Sequence, residues 1–181
     1  CFHDCEYCYA RRISERFGGT QKYTNIFDLP EPIRGEDGNA KAYPYSFSPT
    51  FHRYRLNDYI GKKGRNIFVC SMGDLFGDWV PATWIVDVIE VCMKNNKNNY
   101  LFLTKNPKRY EEPYIPRGFY NFWFGTTITR KCEIERVYEI TGFRNSFVSI
   151  EPILEDLELR FDIRYFRCLG WVIIGAETGH R

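Results

Sequence analysis

No apolar run in this sequence approaches the roughly 18 residues a helix needs to cross a bilayer, so a helical membrane span is excluded and no membrane partner is expected. An excess of either charge is missing too. The 25 Lys and Arg residues stand against 23 Asp and Glu, a formal net charge of +2. The total lacks the footprint of a strongly basic nucleic-acid-binding domain. Locally, Arg11, Arg12 and Arg16 stand close together, as do Lys62, Lys63 and Arg65, and the plain reading of each group is solvated surface. Histidine is scarce: His3, His52 and His180 lie far apart, and no second Cys or His pair has the spacing of a zinc site. The seven cysteines are odd in number and show no even spacing, which argues against a disulfide framework. They fit a reducing compartment, so a cytoplasmic protein is expected.

What is present points to a packed core. With 44% hydrophobic and 18% aromatic residues over 181 positions, one domain covering residues 1–181 is expected. Tyr9 to Phe17 places charged and apolar residues at helical spacing and stops at Gly18 and Gly19, a C-terminal cap. Residues 18–45 are rich in Gly, Pro, Asn and Asp and read as a long connection. At that length a functional or mobile segment is expected, a cover for the site. Apolar β-rich runs follow at 45–48, 66–70, 100–104, 122–127, 146–150 and 171–175, with helical patterns at 81–94 and 130–141. Short apolar strands with helices between them predict an α/β fold, a parallel sheet buried on both faces and shaped as a β/α barrel or an open part of one.

Barrels of this kind bind ligands where the strands end at their C-terminal edge. The polar residues there are Ser48 and Thr50; Cys70, Ser71 and Asp74; Thr104, Lys105 and Asn106; Thr126, Thr127 and Thr129; Ser149 and Glu151; and Glu177 and Thr178. A single polar strand end is ordinary in any protein. Several in register with one metal-type loop predict a site.

That loop is Cys1-Phe2-His3-Asp4-Cys5-Glu6-Tyr7-Cys8. It supplies three thiolates from one short segment and, locally, no fourth. Four thiolates complete an iron-sulfur cubane, so three predict an open coordination position, the feature that separates catalytic metal sites from closed structural ones. The competing reading is a zinc knuckle or half of a zinc site, which needs a second ligand pair.

The spacing and the aromatic at Tyr7 resemble the CxxxCxΦC loop of the radical SAM superfamily. The resemblance implies a [4Fe-4S] cluster on Cys1, Cys5 and Cys8, with S-adenosylmethionine on the fourth iron and Tyr7 near its adenine. Reductive cleavage would then give a 5'-deoxyadenosyl radical for hydrogen abstraction, chemistry that belongs to the cofactor while the protein binds and orients. The implied fold is a partial (β/α)6 barrel of the TIM type. Its first strand is expected upstream of Cys1, and a further segment is expected after Arg181. Within the superfamily the chain is most similar to an uncharacterised phage-associated branch, through Cys8-Tyr9-Ala10, Ser71-Met72-Gly73-Asp74-Leu75-Phe76, Leu103-Thr104-Lys105-Asn106-Pro107 and Glu151-Pro152-Ile153-Leu154. It is distantly similar to spore photoproduct lyase, which implies Cys70 as a hydrogen donor and Ser71, Asp74 and Lys105 as contacts to S-adenosylmethionine.

Lysine is a point charge suited to a carboxylate. The plain reading of Cys70 is a small core residue. The Gly-Gly-Glu stretch found in many superfamily members is missing, and Ser46-Phe47-Ser48-Pro49-Thr50 occupies its region, so either Ser48 or Thr50 substitutes for it or Ser71 or Asp74 holds the amino group from the next strand. Thr104 and Thr127 join the cofactor-binding candidates. Glu151 stands as a contact to cofactor or substrate. The resemblance also implies an external electron donor of the flavodoxin or ferredoxin type; the residues name no substrate. A second reading is a nucleic-acid-binding or repair-associated module, with Tyr54, Arg55, Arg109 and Tyr110 engaging a strand and the metal or cluster structural.

Overall fold

Helical spacing at the start of the chain becomes α1, Tyr9–Gly18. Cys8 caps it, and the N–H of Gly19, at φ 80°, closes it on the Glu15 carbonyl at 3.0 Å. The computed structural model describes residues 1–158 and 166–176, an α/β fold in two units: Cys1–Gly61 with Gly77–Asn95, and Lys62–Phe76 with Asn96–Arg181. Glu177 and Thr178 lie outside the described residues. No helix among the described residues is long and apolar enough to cross a membrane.

In the first unit β1 (Phe27–Leu29) and β2 (Thr50–His52) pair in parallel, Phe27 opposite Thr50. The 18–45 connection therefore contains a strand. The strand expected at 45–48 is absent; that segment is a pair of tight turns, with Ser46 N–H on Tyr43 O, Ser48 N–H on Tyr45 O, and Ser46 at φ 51°. Its aromatics are used for packing, the Tyr45 ring stacking on Phe27 at 3.6 Å. Pro81 precedes α2 (Ala82–Lys94), where it lacks only an N–H that the helix start leaves unpaired anyway. Trp84, Ile85, Val88, Ile89 and Cys92 form its buried stripe, and Phe51 stacks on Trp84 at 5.1 Å. Arg53 clamps Asp28 with two nitrogens and reaches Asp87 of α2 at 2.5 Å.

The second unit is one parallel sheet of β3 (Asn66–Val69), β4 (Asn99–Thr104), β5 (Phe122–Thr127), β6 (Ser146–Ile150) and β7 (Trp171–Ile174), in that spatial order. β5 and β6 are almost wholly buried, as their apolar residues on both faces favour, and Thr126, Thr127, Ser146 and Ser149 are buried with them. β3 and β7 are not, because an edge strand has one neighbour; Phe68, Trp171 and Ile174 keep exposed surface. Burial on both faces therefore holds for the centre alone. The described strands form an open sheet, with no closed barrel among them. The helix expected at 130–141 is a 3₁₀ helix, Lys131–Ile140. The core is aromatic: the ring of Tyr110 packs edge-on against Phe76, Phe124 and Phe143. Its hydroxyl shares its one proton between the carbonyls of Phe102 and Gly125, at 3.1 and 3.0 Å; Tyr110 is fully buried and cannot meet a nucleic-acid strand.

Three of these strands are entered through an asparagine that reaches back one strand. The amide of Asn98 donates to Lys62 O at 2.9 Å, that of Asn121 to Asn98 O at 2.7 Å, and that of Asn145 to Tyr120 O at 2.8 Å. Asn98 also accepts Arg65 N–H at 3.1 Å. These bonds pin the loops at the N-terminal end of the sheet and hold its register.

Candidate functional site

Within the first unit the cysteine loop is built onto α1. Asp4 takes a left-handed turn at φ 53°, and Cys8 N–H then closes on Cys5 O at 3.2 Å. Cys8 sits at the helix N-cap with its sulfur accepting Arg11 N–H at 3.4 Å, and the helix N-terminus favours an anionic ligand there. Arg11 steadies the loop twice: it pairs with Asp4, and its guanidinium lies 5.5 Å from the centre of the Phe47 ring. The Cys1 nitrogen donates to Phe47 O at 2.6 Å, and Phe2 and His3 set their rings edge-on to Trp79. Cys1, Cys5, Cys8 and Tyr7 are all half-buried, and none of the three cysteines is in a disulfide. Ser48 follows Phe47 directly. Its hydroxyl donates to Tyr23 O at 3.3 Å and keeps lone pairs able to accept from an amine. The structure therefore brings Cys1, Cys5, Cys8, Tyr7 and Ser48 into one unit.

Among the described residues no three His, Cys, Asp or Glu side chains group so as to hold a metal ion. A cubane places each thiolate on a separate iron and spreads its ligands wider than one ion does. In number and kind, three half-buried cysteines outside any disulfide on one loop fit that group.

The other candidates stand at the C-terminal end of the second unit's sheet. Cys70 directly follows β3 with φ 57°, uncommon for a residue with a side chain, and its carbonyl accepts Gly73 N–H at 2.9 Å. The residue keeps accessible surface, yet protein atoms crowd its thiol. That burial, with the Asp74 charge second, pushes the thiol up to about 12. Cys70 is therefore an S–H at neutral pH, unlike a nucleophilic thiolate. Asp74 joins neighbouring strand ends, one oxygen accepting Phe76 N–H and the other Thr104 Oγ1–H and Lys105 N–H, all at 2.9 Å. Thr104 is buried and its oxygen in turn accepts Asn106 N–H. Lys105 is half-buried and Ser71 exposed. Thr127 is buried at the end of β5, and Arg136 donates to its carbonyl at 3.0 Å. Glu151, beyond β6, is exposed and lies over Gly175, where an added Cβ would stand 2.7 Å from the carboxyl carbon.

Glu133 escaped the sequence reading. Its carboxylate accepts Thr129 N–H at 2.7 Å, Thr129 Oγ1–H and Arg130 N–H, and it pairs with Arg136 at 3.0 Å. The signal was faint: a Glu three residues into a helical pattern, behind a threonine. Burial alone would raise this carboxyl, but the Thr129 N–H and the Arg136 charge outweigh it and hold the group below its ordinary value of 4.5. A depressed folded pKa stabilises the fold above the unfolded value and loses that contribution as pH falls through the folded one. Glu133→Gln is therefore expected to lower the melting temperature at pH 7, with the gap from wild type closing as pH falls below about 4.5. A gap of equal size at pH 7 and pH 3 would refute the assignment.

A family model described as "Protein of unknown function (DUF5131)" matches residues 2–181. No curated protein and no solved structure matches the chain.

Proposed function

We propose that this chain, which belongs to the DUF5131 family of proteins of unknown function, is a radical SAM enzyme acting on a substrate still to be identified. The observation that carries the reading is the Cys1, Cys5, Cys8 loop: three half-buried cysteines, none in a disulfide, with the aromatic Tyr7 between Cys5 and Cys8, seated on the N-terminus of α1. Cys1, Cys5 and Cys8 would hold a [4Fe-4S] cluster. When bound, the cluster with S-adenosylmethionine supplies one-electron cleavage of the sulfonium and a carbon radical that abstracts hydrogen.

The chain's own residues bind and orient. Tyr7 offers a face to adenine, and Ser48 an acceptor to the amino group. Lys105 offers a cation to a carboxylate, with Ser71, Thr127 and Glu151 as polar partners at the strand ends. Asp74 and Thr104 hold the β3 and β4 loops in place through their mutual bond. Cys70, kept as S–H, is the candidate hydrogen donor. The sequential order of the five parallel strands is the order of an arc of a β/α barrel, and it supports the partial (β/α)6 reading. A reducing, cytoplasmic setting and a flavodoxin- or ferredoxin-type electron donor complete the proposal.

The test is anaerobic reconstitution with iron and sulfide, then dithionite reduction and EPR with and without S-adenosylmethionine. A [4Fe-4S]+ signal perturbed by S-adenosylmethionine, with 5'-deoxyadenosine formed, is the expected result. Zinc in place of iron, or no cluster, would sink the reading.

A further inference from the structure

Parallel strands put all their entries at one end of a sheet, and in the second unit those entries are cationic. Lys62, Lys63 and Arg65 lead into β3, Lys97 into β4, Arg144 into β6 and Arg167 into β7, all exposed. Glu112 is the one carboxylate in the same connections, 62–65, 96–98, 112–121, 141–145 and 166–170. The opposite end carries both signs, from Asp74 and Lys105 to the Lys131–Glu158 pair. The near-neutral total therefore conceals a polarity within this unit.

The cations are positioned, not merely near in sequence. Gly64 N–H bonds Lys97 O at 2.9 Å, Arg65 N–H bonds the Asn98 side chain at 3.1 Å, and the Asn145 amide holds Tyr120 O at 2.8 Å. Tyr120 stands among them, 64% exposed, its hydroxyl on Asn96 O at 3.3 Å. Lys63, Arg65, Lys97 and Arg144 make no ion pair among the described residues.

We infer that this strand-entry end, with Lys62, Lys63, Arg65, Lys97 and Arg144 around the ring of Tyr120, is a binding surface for the phosphate backbone of a nucleic acid. Strands about 4.8 Å apart spread the four entries from β3 to β6 over roughly 14 Å, the axial length of about four base-pair steps. Lysine is depleted at protein interfaces, and a membrane surface calls for an apolar face beside the charge; here the neighbours are Asn and Gly. An exposed tyrosine beside cations is also the arrangement on which unstacked bases settle. All of these residues belong to the second unit and the cysteine loop belongs to the first, so binding here does not depend on the cluster.

The test is fluorescence anisotropy of the full chain with a labelled 20-nucleotide DNA, single-stranded and duplex, from 50 to 200 mM salt. Wild type is expected to bind, and the triple variant K63E/R65E/K97E to bind at least tenfold more weakly. Its slope of log K against log salt should be shallower by about 2.7 on duplex or about 2.1 on single strand, for three lost phosphate contacts. Lys108→Glu, an exposed cation outside the strand entries, is the control and should change little. If the triple reversal does not fold, as judged by circular dichroism, K63Q/R65Q/K97Q takes its place with the same direction expected. No binding at 50 mM salt, an equal loss in the Lys108 control, or binding of phosphatidylserine vesicles without DNA would each overturn the inference.

Discussion

Cys5→Ala, reconstituted anaerobically, will hold iron and form 5'-deoxyadenosine only at background level while keeping its far-ultraviolet circular dichroism. The reason lies in how the loop is fastened. The Cys5 main-chain carbonyl accepts Cys8 N–H, and alanine keeps that carbonyl while removing the sulfur, so the turn is expected to survive. Three thiolates are the fewest that leave a cubane a single open iron, and two leave a second iron without a protein ligand. Cys8 offers a sharper comparison because its sulfur also caps α1. Cys8→Ala loses cluster and cap together, and loss of an N-cap costs about 1 kcal/mol. Cys8→Ser returns an acceptor to the cap but a poor ligand to iron. Stability recovered in the serine variant without activity would separate the two jobs. Unfolding of Cys5→Ala, or turnover in it, would defeat the proposed role.

Gly125→Ala will produce the largest loss of stability of any single methyl added to the second unit. Gly125 faces Phe147 across the β5–β6 pair, and an added Cβ would clash with the far edge of the Phe147 ring. Phe147 is fully buried, and the Gly125 carbonyl is held by the Tyr110 hydroxyl, so neither side can withdraw. Overpacking of this kind costs on the order of 3 kcal/mol, and for a chain of this size that is roughly 6–12 °C in melting temperature. Phe147→Leu in the same chain should recover part of the loss by vacating the ring's volume. A melting temperature within a degree of wild type would show that the strands move apart more easily than the packing implies.

How much of this was legible depended on where the information sits. β5 and β6 fall at their expected bounds because a strand buried on both sides is rich in apolar residues on both faces, Phe122 to Phe124 in β5 and Phe147, Val148 and Ile150 in β6. β1 and β2 carry three residues each inside a polar connection, too few for any period to show. Tyr45, Ser46 and Phe47 look β-prone, yet Ser46 turns left-handed there and the rings pack sideways. The cysteine loop was readable because its spacing is local. The Glu133 cluster was hardly readable, since its strength comes from convergence on a carboxylate and not from a motif.

The backward-reaching asparagines have a consequence in time. Asn121 has its acceptor on Asn98 once β4 is laid down, and Asn145 has its acceptor on Tyr120 once β5 is in place. Each strand thus docks on an edge completed just before it, in the order in which a ribosome releases the chain. Assembly by successive neighbours replaces the long-range search that makes parallel sheets slow to fold, and it gives this sheet a direction of growth from β3 toward β7.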